Sequence, residues 1–105
     1  MKIAVSYDRT NDTIYSEFEN TKHFKLYDTE NNAVICSEIV GTMGSEKEQL
    51  VHLLLMFESD ALICSELSET SRELLEEEGI SVFSGCCGKS DELIELLLEG
   101  VLVPR

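Results

Sequence analysis

The chain has 105 residues, 21 of them acidic and 8 basic, for a formal net charge of -13. Such a surface repels phosphate backbones and argues against nucleic acid as a partner. With 43% hydrophobic residues the chain has the apolar content of one packed domain and is too short for two.

The N-terminal MKIAVSYD shows no signal-peptide cleavage pattern and predicts a buried first strand over 2–7. A polar turn over 9–13 follows, and residues 14–18, 22–28 and 33–40 read as three further strands of an antiparallel meander. Glu30, Asn31 and Asn32 supply the tight turn before the last of these. After Gly41 the period changes. Ser45 and Glu48 form a capping-box pattern, and Leu50, Leu53, Leu54 and Phe57 share one helical face behind it. Residues 61–64 read as a short buried strand, and a helix runs from Ser68 to Gly79. Residues 80–83 form a last strand, and a helix from Ser90 ends at Gly100. Strands first and then helix-strand-helix-strand-helix imply one mixed α/β sheet covered by helices. Ile3, Val5, Leu53, Leu54, Phe57, Leu62, Ile63, Val82 and Leu97 are the expected core.

Residues 102–105, LVPR, match the remnant that thrombin leaves when it cuts an engineered tag. The domain is therefore expected over 1–101. No apolar run approaches the ~18 residues that span a bilayer, so a cytoplasmic protein without a membrane partner is expected.

In such a sheet, ligands favour the crevice beyond the carboxyl ends of parallel strands. That places Tyr7, Asp8 and Arg9, residues 65–68 and the loop Gly85, Cys86, Cys87, Gly88 together, with the turn at Met43 bordering them. The letters GKS at 88–90 suggest a phosphate-binding loop, but the first glycine of that motif would fall on Phe83. Nucleotide hydrolysis is therefore not expected. The cysteine pair is the better signal. A thiol before a helix N-terminus, beside Lys89, is favoured as thiolate, the form that binds soft metals. The flanking Gly85 and Gly88 would admit a bulky ligand. The structural reading sets small hydrophobic cysteines in a glycine turn, and the residues alone leave both readings open. Cys36 and Cys64 lie in strand runs and are expected to be packed, and His23 and His52 to lie at or near the surface. Asp8 could open a nuclease-like carboxylate cluster, a reading that the charge disfavours. There is no G-x-S-x-G and nothing demands an enzyme.

The chain resembles the dinitrogenase iron-molybdenum cofactor biosynthesis family, which includes nitrogenase cofactor carriers and the orange protein. The stretches that carry the likeness are MKIAVSYD, residues 18–24 with Tyr27 and Asp28, LLEEEGISVF at 74–83, and LLLEG at 96–100. Where the family carries His-Phe-Gly, this chain reads Glu17, Phe18, Glu19. The resemblance implies a ribonuclease H-like three-layer α/β/α fold with a five-stranded mixed sheet. It also implies a non-catalytic protein that binds or carries a metal or metal-sulfur cluster containing Fe, Mo or Cu. Cys86 and Cys87 are then the expected metal ligands, with Gly85, Gly88 and Met43 as cofactor-binding residues and a protein partner in cofactor assembly. The alternative is a diverged member without metal, acting as a protein-interaction or regulatory module.

Overall fold

A computed structural model describes residues 1–44 and 46–102. Among the described residues, six strands and three helices follow one another. They are β1 (Lys2–Asp8), β2 (Thr13–Ile14), β3 (His23–Glu30), β4 (Ala33–Gly41), α1 (Lys47–Met56), β5 (Ala61–Ile63), α2 (Glu69–Glu77), β6 (Ser81–Phe83) and α3 (Ser90–Leu98). The sheet order is β4-β3-β1-β5-β6, with β2 paired to β1. Strands β1, β5 and β6 run parallel, whereas β3 and β4 are antiparallel neighbours.

Alternation along the strands divides the core into two layers. Ala4, Phe24, Leu62 and Val82 face α1 and α2, and pack with Leu50, Leu54 and Leu75. Ile3, Val5, Tyr27, Ile63 and Phe83 face α3, and pack with Leu93 and Ile94. This is the ribonuclease H-like α/β/α arrangement, with six strands where five were expected. The extra strand is β2. It contributes only Thr13 and Ile14, because the chain then leaves the sheet to drop Phe18 into the α1/α2 layer. There Phe18 begins a 3-10 turn, Phe18–Asn20, with its ring 6.2 Å from that of Phe24. The strand expected over 14–18 is corrected accordingly.

The β3–β4 turn places Asn31 and Asn32 at φ of 53° and 62°, the left-handed pair that a tight hairpin requires. Ser45, half of the expected capping box, lies outside the described residues. The box that forms is one residue later, between Glu46 and Gln49. It turns Leu50, Val51 and Leu54 inward, while Leu53, Phe57 and Leu97 are only half-buried. Ser68 caps α2 as expected, its hydroxyl accepting the Ser71 N–H at 3.2 Å.

Candidate functional site

The loops after β5 and β6 meet beyond the carboxyl edge of the parallel strands, and the segment after β1 reaches them through Ile14 rather than through Asp8 and Arg9. The loop after β6 is tied to the loop after β5 by two backbone bonds. The Gly85 N–H donates to the Ser65 carbonyl at 2.8 Å and the Cys86 N–H to the Cys64 carbonyl at 3.1 Å. Gly85 and Gly88 lie at φ of 71° and 107°, where side chains are disfavoured. A Cβ on Gly88 would come no closer than 4.0 Å to the Leu93 side chain. Backbone conformation, rather than crowding, therefore makes glycine necessary there.

The two adjacent cysteines have different fates. Cys86 is 7% exposed and packs with Ile63, Phe83 and Leu93. Its thiol lies 3.5 Å from the Phe83 carbonyl and 3.7 Å from that of Ser84, with its single S–H proton shared between them. Cys87 is exposed. Both line a cavity of about 270 Å³, together with Leu93, Leu96, Val101 and Leu102. Behind the loop lies Cys64, fully buried, whose thiol is pushed up to about 12 by burial and then by the neighbouring Cys86. Cys36, expected to be packed, is exposed, because β4 is the outer strand of the sheet. His23 is half-buried and His52 exposed.

Lys89 does not direct its charge at the thiols. Its ammonium donates to the Asn11 carbonyl at 3.1 Å. That contact belongs to a strap over residues 11–19, which is bonded to the loops after β5 and β6. The Ile14 N–H donates to Gly88 at 3.0 Å, the Glu66 N–H to Ser16 at 3.1 Å and the Phe18 N–H to Glu66 at 2.9 Å. Sequence reasoning missed the strap because these three bonds are backbone to backbone and leave no side-chain signature.

The remaining expected site residues are dispersed. Asp8 caps its own turn, accepting from the Thr10 N–H at 3.0 Å and the Asn11 side-chain amide at 2.9 Å. The Asn11 bond leads in holding its carboxyl below the usual range. Met43 is 97% exposed at φ 59°, after β4. Strands β3, β1 and β5 separate it in the sheet order from the cysteine loop beyond β6. It does not join Cys86 and Cys87.

Two clusters of residues distant in sequence hold the edge in shape. Glu19 accepts from the Ser68 N–H at 2.9 Å and from the Ser71 hydroxyl. Burial works against its charge, but these bonds prevail and hold its carboxyl below the usual range. On the opposite layer, the Lys25 ammonium lies 3.2 Å from Asp91 and 3.9 Å from Asp12. It also sits over the rings of Tyr7 and Tyr27, at 5.4 and 5.3 Å. Tyr27 donates to Asp91 at 2.5 Å and Tyr7 donates to Asp12.

Among the described residues, no three His, Cys, Asp or Glu side chains gather closely enough to hold a metal ion. The loop offers two thiols and no third donor. Any metal carried there would complete its coordination with ligands from elsewhere. No helix among the described residues is long and apolar enough to cross a membrane.

The fold is shared with solved structures. A candidate dinitrogenase from Methanocaldococcus jannaschii is 25% identical, with a TM-score of 0.82 over 100% of this chain and 94% of that one. A candidate NifB protein from Thermotoga is 24% identical, with a TM-score of 0.75 over 98% and 91%. The apo form of the orange protein from Desulfovibrio gigas is 16% identical, with a TM-score of 0.85 over 99% and 92%. No functionally curated protein matches the chain. The dinitrogenase iron-molybdenum cofactor family matches residues 1–100, and the chain belongs to that family.

Proposed function

We propose that this protein is a non-catalytic, cytoplasmic accessory protein that carries a metal or metal-sulfur cluster, with the cysteine loop as its cargo site. The single observation that carries the reading is the position of Cys87. Its side chain is exposed beside a cavity at the carboxyl edge, on a loop whose shape two left-handed glycines set. Thiolate ligands select soft ions such as Cu(I) and clusters containing iron and sulfide. Two thiols without a third donor leave the rest of the cargo's coordination open to its own sulfide or to a receiving protein. A carrier needs that openness, because its cargo must leave.

Cys86 is the second ligand in this reading. Its thiol would have to turn from the Phe83 carbonyl toward the cavity, exchanging a weak hydrogen bond for a metal-sulfur bond. Gly85 and Gly88 fix the loop, and Met43 stands apart. The chain's net charge of -13 favours a cargo that is cationic or only weakly anionic.

The test is anaerobic titration with Cu(I), and separately with iron and sulfide, read by absorption and metal content. Uptake should protect Cys87 from alkylation, and replacing both Cys86 and Cys87 with Ser should abolish it. Uptake that survives the double replacement places the cargo elsewhere. No uptake of either cargo overturns the reading.

A further inference from the structure

The cysteine loop is held at both ends by different parts of the chain. Its leading end is tied to the loop after β5 through the Gly85 and Cys86 N–H groups. Its trailing end is tied to the strap. There the Ile14 N–H donates to the Gly88 carbonyl at 3.0 Å, and the Ser90 N–H donates to the Asp12 carbonyl at 3.3 Å. Between these ties Cys86 packs in one buried cluster with Leu93, which lies in the first turn of α3 and lines the same cavity. Whatever seats that turn of α3 therefore keeps Cys86 inside.

The seat is built on charge. Asp12 of the strap and Asp91 of α3 both face the Lys25 ammonium, at 3.9 and 3.2 Å. The Lys25 side chain is only 14% exposed, beside the rings of Tyr7 and Tyr27. The Tyr27 hydroxyl adds a bond to Ser90 at 2.7 Å. Two acids from separate segments repel one another when they are brought together without a cation. Among the described residues, Lys25 is the only base that pairs with either of them.

We propose that Lys25 is a positioning residue for the cysteine loop. Its ammonium is the counter-ion that lets Asp12 and Asp91 share one place, and by seating α3 it keeps Cys86 packed against Leu93. Under the cargo reading, on which this role rests, the second thiol becomes available only when Cys86 leaves the core. Lys25 sets how often that happens. Lys25→Met keeps most of the stem that packs on the rings and removes the charge. Asp12 and Asp91 are then left facing each other unpaired, and removing one partner of a shielded pair costs more than the intact pair contributes.

A buried thiol reacts only in molecules that have opened around it, so its labelling rate reports that opening. Cys64 is buried in the α1/α2 layer and reports opening of the domain as a whole. The test is iodoacetamide labelling of the native protein, read by mass spectrometry in a Cys87→Ser chain so that one thiol of the loop remains. Lys25→Met should raise the rate at Cys86 by about tenfold relative to the rate at Cys64. Adding Asp91→Asn should reverse most of that change, because it removes the repulsion and keeps an acceptor for Tyr27. Leu54→Ala, which weakens the opposite layer, should raise both rates together and leave their ratio unchanged. An unchanged ratio in Lys25→Met overturns the proposal, as does a rise that Asp91→Asn fails to reverse. If Lys25→Met alone does not fold, the double variant should, and failure of both to fold overturns it too. No metal enters the measurement. A chain that takes up no cargo yet labels as expected therefore loses the cargo reading and keeps this role for Lys25.

Discussion

The Glu19 carboxylate accepts the backbone N–H of Ser68 at 2.9 Å, so a residue 49 positions away caps the start of α2. The same oxygen takes the Ser71 hydroxyl. One acid on the strap therefore satisfies donors that the helix cannot pair internally and fastens the strap to the β5 loop. Its work here is structural.

Glu19→Ala should cost about 1–3 kcal/mol, the range for a charge-assisted hydrogen bond left unmade. Glu19→Gln should cost less, because it retains an acceptor for Ser68. Urea unfolding followed by circular dichroism measures both. An unchanged midpoint for Glu19→Ala would mean that Ser68 caps the helix without help.

The pH dependence has a sign at each end. Glu19, Asp8 and Asp91 all have folded carboxyl values below their ordinary ones. For Asp91 the Tyr27 hydrogen bond leads and Lys25 adds to it. Their contribution is complete above the ordinary carboxylate range and is lost as pH falls through the lowered values. At the alkaline end the folded values are raised. Burial and then the Asp12 bond push Tyr7 up to about 12, and burial pushes Cys64 up to about 12. Stability held by these groups is complete below their ordinary values of 10.0 and 9.0 and is lost as pH rises toward 12. Thermal melts across pH should form a plateau with both shoulders, and Tyr7→Phe should flatten the alkaline one. A steady rise in stability above pH 10 would contradict this assignment.

Leu54 is fully buried against the α1/α2 face of the sheet, whereas Leu53 is half-buried. Leu54→Ala should cost about 2–5 kcal/mol, and Leu54→Asp should unfold the domain, because it buries an unpaired charge. Leu53→Ala should cost clearly less. Equal melting temperatures for the two alanine variants would show that α1 is rotated from the position described.

Alkylation should divide the cysteines two and two. Cys36 and Cys87 are exposed, while Cys64 and Cys86 are buried. Mass spectrometry of the native protein after brief iodoacetamide treatment should find label on the first pair and none on the second. Urea should then release the others. Rapid labelling of Cys86 in the native state would show that its loop opens far more readily than its packing implies.

Much of the fold was legible in local patterns. The Asn31-Asn32 turn, the Ser68 cap and the glycines at 79 and 100 announce themselves through backbone chemistry that depends on near neighbours. The helix-strand alternation after Gly41 follows from periodicity, and with it the loop at the carboxyl edge that holds Cys86 and Cys87.

What the tertiary structure decided concerns residues whose partners lie far along the chain. Sequence could not say that Cys36 is exposed, because burial of a strand residue depends on what covers its face of the sheet. Nor could it separate Cys86 from Cys87, adjacent letters that one backbone turn sends to the core and to the surface. Lys25 meets Asp91 across 66 positions and Glu19 meets Ser71 across 52. Such contacts have no local period to reveal them. The amino-acid sequence by itself determined most of the strands and helices, because those choices rest on local periodicity and turn chemistry, whereas the segment over 14–18 left the sheet to bury Phe18. Only the folded sheet decided which thiol faces solvent and which acid caps a helix, because those outcomes depend on which distant surfaces are brought together.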